Sequence, residues 1–458
     1  MTERLVVIGG DAAGMSAASQ ARRLRGPDEL EIVAFERGRF TSYAACGIPY
    51  WIGGLVEERD ALIARTPEVF RDRQGIDVRI RHEVTGIDTD ARTVRVTDLG
   101  TGQEAVHDYD QLLVATGATP VRPPVPGIDA AGVLGVQTLV DGQRVLDALE
   151  ERSPRRAVVI GAGYIGLEMA EAMCLRDIEV HVVEMAPRPM STMDPEFGDQ
   201  IAEAMQGMGM HLHLGVAVEA VETGDDGFVR AVQTSEGTIE ADLVVLGTGA
   251  RPLTELAEPA GIPIGPSGGI VTDRRQRTPV DRVWAAGDCT ETFHRISRQP
   301  VAIALGTIAN KQGRIAGLNL GGAYGAFPGV LGTAVTKVCH LEIARTGLGE
   351  QEAMDAGFAV ATSVIEASTR AGYYPGAKPL TIKTITEQVT GRLLGAQIVG
   401  EEGAAKRIDV FATALWNEMT VGDLLNVDLA YAPPFSPVWD PVLIAARHAD
   451  GAVQDASP

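Results

Sequence analysis

LVVIGGDAAGMSAASQARRL (residues 5–24), followed by EIVAFE (31–36), decides the fold. It is a short apolar run, a glycine-rich turn, a small-residue stretch and a second apolar run that ends in an acid. The same order returns as AVVIGAGYIGLEMAEAMCL (157–175) and EVHVVE (179–184). Each apolar run suits a buried parallel strand, and each small-residue stretch suits a helix packed closely on it. This is the dinucleotide fingerprint in its strand–turn–helix context. The first glycine permits the tight turn, the second lets backbone approach a pyrophosphate, and the third lets helix and strand pack. The helix N-terminus then offers its N–H groups to phosphate. The second copy is complete, with Gly161, Gly163 and Gly166. The first has Gly9 and Gly14, but Asp11 holds the middle place beside Gly10, so that carboxylate must turn away from any phosphate. Glu36 and Glu184 stand about 20 residues beyond Gly14 and Gly166, where an acid meets a ribose hydroxyl.

Around this repeat the chain is 458 residues long, room for two to four domains at roughly 100–200 residues each. The net charge of −21, with no block of Lys and Arg, argues against nucleic acid or an anionic membrane surface as partner. No apolar run reaches the roughly 18 residues of a membrane span. The opening MTERLVVIGG enters the strand pattern directly, so no signal peptide is expected. Four cysteines, 46, 174, 289 and 339, contain no C-x-x-C pair. They suggest neither a disulfide framework nor a zinc knuckle, and they point to a reducing cytoplasm.

Two further strings extend the pattern. LLVATGATP (112–120) reads as a buried strand ending in the turn Ala115-Thr116-Gly117. VWAAGDCTE (283–291) reads as a strand ending in Gly287-Asp288. A carboxylate at such a strand end is placed for a ribityl or ribose hydroxyl. In this order, fingerprint, ATG, fingerprint and AAGD, the chain resembles the pyridine nucleotide-disulfide oxidoreductase family over about its first 320 residues. The resemblance implies an α/β fold with two Rossmann-like dinucleotide-binding domains and a C-terminal α+β dimerisation domain. The FAD-binding domain would be split between 1–120 and 248–325, around an NAD(P)H-binding domain at 121–247, with the interface domain at 326–458. It implies FAD contacts from Gly9, Gly10, Gly14, Glu36, Ser42, Ala115, Thr116, Gly117, Gly287, Asp288 and Ala302. It implies NAD(P)H contacts from Gly161, Gly163, Gly166 and Glu184, with Tyr164 over the nicotinamide pocket and Glu168 near the flavin. Glu184 favours NADH, since a carboxylate there repels a 2′-phosphate. Arg188, four residues on, works against that preference and keeps NADPH as the alternative donor.

The stretch FTSYAACGIPYWIGG (40–54) holds one cysteine, Cys46, with Ser42 four places before it. The tail YAPPFSPVWDPV (431–442) has no His-Glu pair. Both features depart from two-cysteine disulfide reductases. The chain is similar to the single-cysteine branch: coenzyme A-disulfide reductases, NADH oxidases and peroxidases, and NAD(P)H polysulfide reductases. Gly47-Ile48-Pro49 begins a short helix, and a thiol at a helix N-terminus is expected to have a lowered pKa. A lone thiolate must alternate with a sulfenic acid or with a mixed disulfide to a small thiol. Cys174, Cys289 and Cys339 read as packing residues.

After Pro328 the pattern turns β-rich, with helical stretches near Glu350–Ala356 and Ala404–Glu418, an α+β arrangement. The resemblance makes this part the interface of a homodimer with shared active sites. There Tyr373, Tyr374 and Tyr431 approach the partner's cysteine, and a tyrosine hydroxyl can protonate a leaving thiolate. Arg22 and Arg23, on the first fingerprint helix, are candidates for a coenzyme A phosphate. The expected activity is FAD-dependent NAD(P)H reduction of coenzyme A disulfide or a related persulfide or polysulfide through Cys46. The alternatives are an NADH oxidase or peroxidase cycling through a sulfenic acid, and an electron-transfer flavoprotein that docks a protein partner. No metal role is expected.

Overall fold

The computed structural model describes residues 2–456; residues 1, 457 and 458 of the ranges above lie outside it. Both fingerprints open a parallel five-stranded sheet. In the first sheet the strands run in the order Val283–Ala285, Gln111–Val114, Glu3–Ile8, Leu30–Glu36, Ile76–Ile80. In the second the order is His211–Leu214, Glu179–Glu184, Arg156–Ile160, Leu243–Leu246, Val133–Gly135. All these neighbours are parallel. Their strands read as unbroken apolar runs because both faces are covered: Leu5, Val7, Val159 and Val245 are each fully buried. The first sheet draws strands from both sides of the second. The chain crosses between them where Ala118–Pro120 pairs antiparallel with Ala250–Pro252.

Helix Ala12–Leu24 packs along helix Gly306–Leu320 with almost no gap. A Cβ on Gly313 would lie 2.2 Å from the Ala13 carbonyl oxygen, and one on Gly317 would lie 2.4 Å from that of Ala17. Each parallel sheet also carries a three-stranded antiparallel sheet, at residues 82–108 and 218–240, which the sequence reading did not separate. Short polar hairpins give little apolar periodicity to read.

The C-terminal part is an antiparallel sheet in the order Ala334–Val338, Leu341–Gly347, Leu393–Gly400, Pro379–Glu387, Val360–Ser368. Helices Glu350–Asp355 and Ile408–Trp416 fall where the pattern put them. Two features add to that pattern. AVTKVCHLEIARTG (334–347) is a hairpin, with Cys339 at its turn at φ 55°, the left-handed conformation such tight turns require. The tail also ends in a helix, Pro441–Ala456, started by Asp440, whose Oδ1 accepts from the Val442 N–H at 2.9 Å.

One buried cation joins this sheet to the part of the chain that carries the second parallel sheet. The Lys383 side chain is 1% exposed, with Nζ 2.9 Å from Asp194, 2.8 Å from Glu196 and 2.6 Å from Glu350. Burial alone would lower its pKa. The three carboxylates reverse that and raise it.

Candidate functional site

The first glycine turn is closed by contacts that admit no side chain. A Cβ on Gly9 (φ 107°) would lie 2.1 Å from the Ala115 oxygen, and one on Gly14 would lie 2.0 Å from the Gly9 oxygen. Glu36 secures the turn from below: its carboxylate accepts from the Gly10 N–H at 2.7 Å and the Gly38 N–H at 2.6 Å. From the other side the Gly10 carbonyl accepts from the Ser42 N–H at 3.1 Å and from the Thr41 hydroxyl. Asp11 does turn toward this segment, accepting from the Tyr43 N–H at 3.2 Å. Burial, then Glu36 and Asp288, push its pKa up to about 6.

The second turn repeats the design. A Cβ on Gly161 would lie 2.5 Å from the Gly247 oxygen, and one on Gly166 would lie 2.0 Å from the Gly161 oxygen. Gly163 faces open space, with nothing within 4 Å of its Cβ position. Glu184 accepts from the Ala162 N–H at 2.7 Å and the Ala186 N–H at 2.8 Å, matching Glu36 bond for bond. Both fingerprint helices, Ala12–Leu24 and Tyr164–Cys174, start without a side-chain cap. Their first-turn N–H groups therefore suit an outside anion.

Asp288 gives the sharpest test of cofactor fit. Its Oδ1 is buried and has no hydrogen-bond partner in the protein, and burial pushes its pKa up to about 6. An unpaired buried carboxylate oxygen costs free energy unless a donor reaches it. A flavin's ribityl or ribose hydroxyl is such a donor. Two glycine turns whose helices lack a side-chain cap, together with this orphaned oxygen, fit a flavin nucleotide and a nicotinamide nucleotide. The turn at Thr116 and Gly117 lies beside the first cradle, with the Thr116 hydroxyl donating to the Leu253 oxygen at 2.6 Å. Gly287 packs on Ala13, and Ala302 is exposed on the loop before helix Gly306–Leu320.

Cys46 lies in a single 3-10 turn, Ala45–Gly47, that runs into helix Ile48–Ile52. A Cβ on Gly47 would meet the Leu62 Cδ2 at 2.3 Å, so that side chain would have to shift. Ile48 and Ile52 are buried, which contributes about 2 kcal/mol each. The helix packs on the second fingerprint helix, with Gly53 against Ala172. Cys46 thereby sits near Glu168, Asp288 and Asp11, open to the surface on one side. The expected lowering of its pKa is not found. Burial pushes the thiol up, and the charges of Glu168, Asp288 and Asp11 add to that. A five-residue helix has too small a dipole to outweigh burial and three carboxylates.

Glu168 accepts from the Thr336 hydroxyl at 2.8 Å, and burial raises its pKa. The Tyr164 hydroxyl is bonded to Thr192, and burial raises its pKa also. Arg22 is spent on the carbonyls of Arg25 and Gly75, both at 3.1 Å, so it is poorly placed for a ligand phosphate. Arg23 is exposed, and its guanidinium donates to the Gln20 Oε1 at 3.3 Å. Tyr431 and Tyr373 share a hydrogen bond, which raises the Tyr431 pKa. Their two loops are tied where the Ala371 N–H donates to the Pro433 oxygen. Tyr373, Tyr374, Tyr431, Phe435 and Trp439 are each exposed.

The sequence reading missed the second ATG-like turn, Gly247-Thr248-Gly249. Its signal was present, since GTGARP (247–252) repeats ATGATP (115–120). The two strings supply the paired crossing strands, and Gly247 packs on the third glycine of the second fingerprint.

The pyridine nucleotide-disulphide oxidoreductase model matches residues 3–313, and the dimerisation-domain model of the same family matches 333–441. The chain belongs to this family. It is therefore an oxidoreductase that uses FAD and NAD(P)H, and it carries a dimerisation domain. It is 40% identical over 448 residues to the NAD(P)H coenzyme A polysulfide/persulfide reductase of Pyrococcus horikoshii, covering 98% of each chain. To the NADH oxidase of Methanocaldococcus jannaschii it is 35% identical, over 97% of this chain and 98% of that one. The solved NAD-dependent persulfide reductase from A. fulgidus superposes with a TM-score of 0.95 at 39% identity, over 99% of this chain and 84% of that one. Among the described residues no helix is long and apolar enough to cross a membrane.

Proposed function

We propose that this flavoenzyme reduces coenzyme A disulfide, or a coenzyme A persulfide or polysulfide, with Cys46 as its one relay thiol. The observation that carries the reading is the position of Cys46, between the first glycine cradle, Asp288 and Glu168, while the other three cysteines lie in packing positions. The names of the relatives agree with it. All four cysteines are free thiols, as a cytoplasmic, reducing compartment leaves them.

Bound FAD supplies a hydride acceptor for NAD(P)H and a source of the electron pair that sulfur needs. The chain's own part begins with the Cys46 thiolate attacking one sulfur of the substrate. The substrate S–S bond breaks, a mixed disulfide forms on Cys46, and the first thiol leaves with a proton. Two electrons and one proton then cleave the mixed disulfide, releasing the second thiol and restoring the Cys46 thiolate. Gly9, Gly10, Gly14, Glu36, Ser42, the Ala115–Gly117 turn, Gly287 and Asp288 hold FAD in this account. Gly161, Gly163, Gly166 and Glu184 hold the nicotinamide nucleotide, and Tyr164 covers its ring. Arg23 is the remaining candidate for a coenzyme A phosphate.

NADH is the expected donor. Glu184 ends strand Glu179–Glu184, and Arg188 is paired with Asp199 at 2.8 Å. With no free cation from Arg188 to offset it, a 2′-phosphate beside Glu184 meets like charge, which costs several kcal/mol. The expected kcat/KM for NADH exceeds that for NADPH by about tenfold or more, and Glu184→Ser narrows the ratio. Steady-state kinetics with both donors checks this.

The active unit is a homodimer whose site joins Cys46 of one chain to Tyr431 of the other. The exposed aromatic residues support this, as does the hydroxyl pair Tyr373–Tyr431, which can pass a proton to a leaving thiolate. Cys46→Ser and Tyr431→Phe homodimers are each expected to be impaired. Mixed dimers are expected to regain one intact site and rise above the parents' average. A mixture no better than that average would mean that Tyr431 acts within its own chain or only packs.

A further inference from the structure

The second nucleotide sheet carries a side-chain cluster that takes no part in the chemistry above. Glu179 and His181 lie two apart on strand Glu179–Glu184, and His211 and His213 lie two apart on the edge strand His211–Leu214. Side chains two apart share a face, and the parallel register His181↔His211 lays the two pairs side by side. The His211 and His213 rings stack on His181 with centroids 4.7 and 5.3 Å away. His181 Nε2 is 3.0 Å from Glu179 Oε1, and His211 Nε2 is 3.9 Å from the same oxygen. The ligand atoms of Glu179, His181 and His211 all fall within 4.8 Å of one another. A tetrahedral ion with bonds of about 2.0–2.2 Å needs its ligand atoms about 3.5 Å apart, so small side-chain rotations close the set.

His213 adds a second, independent feature. His181 Nδ1 lies 3.0 Å from His213 Nε2. When Nδ1–H donates there, the lone pair of His181 is left on Nε2, facing the Glu179 carboxylate at 3.0 Å. In that tautomer a metal ion fits between the two atoms; in the other, the His181 Nε2–H donates to Glu179 instead. An outer partner that fixes the tautomer of a ligating histidine is a usual part of a metal site. Arg156 steadies Glu179 from 3.3 Å, and its own charge is offset by Glu240 at 2.8 Å.

We propose that Glu179, His181 and His211 bind a divalent transition-metal ion, with His213 orienting His181. Imidazole with one carboxylate selects Zn2+, Ni2+ or Cu2+ over Mg2+ and Ca2+. The ion bridges the edge strand to the strand that ends in Glu184, and so fastens the nucleotide sheet without touching the reaction.

The test is equilibrium dialysis of the FAD-loaded enzyme against Ni2+, with bound nickel counted by elemental analysis. The wild type is expected to hold one more Ni2+ per chain than His211→Ala or Glu179→Gln, with the disulfide-reductase rate unchanged in both variants. His211 is largely exposed, with a side chain 57% accessible, so its loss leaves the fold intact. Ni2+ is expected to raise the melting temperature of the wild type and not of the variants. The difference in uptake is expected to persist in a Cys46→Ser background, which assigns the ion to the histidines and not to the thiol. Equal uptake by the wild type and both variants, or a difference that vanishes in the Cys46→Ser background, overturns the proposal and leaves only a proton between His181 and Glu179.

Discussion

Cys46→Ser is expected to lower disulfide turnover by more than about a thousandfold, while the protein still takes up FAD and its flavin is still bleached by NADH. The size of the effect follows from the lack of a substitute. Cys289 is fully buried, with its thiol against the carbonyl oxygens of Ala286 and Val114. Cys174 and Cys339 are half-buried beside Glu171, and burial pushes both thiols up to about 11. At neutral pH neither offers a useful fraction of thiolate. Serine keeps the size of the side chain and the turn at Gly47, so loss of the fold is not expected. Anaerobic flavin reduction and steady-state disulfide turnover, measured on one preparation, separate the two half-reactions. Turnover retained in the variant would move the relay away from Cys46.

Lys383→Met is expected to destabilise the protein by about 3–5 kcal/mol. The mutation removes one buried cation and leaves three carboxylates facing each other. Asp194, at 10% side-chain exposure, suffers most; Glu196 and Glu350 are partly open and can turn to water. Asp194 also accepts from the Glu350 N–H at 3.2 Å, so the loss reaches the start of helix Glu350–Asp355. Adding Asp194→Asn to Lys383→Met is expected to recover part of the loss, because it removes the most deeply buried unpaired charge. Urea unfolding midpoints of the three proteins check this. A midpoint unchanged in Lys383→Met would mean that the cluster holds no net stability.

The glycine spacing made the two nucleotide cradles legible. Each conserves a geometric requirement within about 30 residues, and the structure meets it at Gly9, Gly14, Gly161 and Gly166. Asp11 was legible for the same reason, since a carboxylate in that place had only one way to turn. The chemistry of Cys46 was half legible. Its uniqueness is visible in the string, but the carboxylates that raise its pKa come from positions 168, 288 and 11, and sequence neighbours say nothing of them. Lys383 was invisible for the same cause, with partners near 194 and 350 brought together only by folding. The Cys339 hairpin was hidden because its turn carries no glycine or asparagine to announce the positive φ. Tyr373 and Tyr431 were picked out separately, and the fold adds the hydrogen bond between them.

The central claim, that one thiol relays electrons to a coenzyme A disulfide, is tested most directly by intact mass spectrometry. Enzyme with a free Cys46 thiol is treated with coenzyme A disulfide, freed of excess reagent and analysed under non-reducing conditions. The account predicts one coenzyme A adduct per chain, located on Cys46, absent in Cys46→Ser, and discharged as free coenzyme A when NADH is added anaerobically. An unmodified thiol, or a sulfenic acid that forms with peroxide and ignores coenzyme A disulfide, would contradict it.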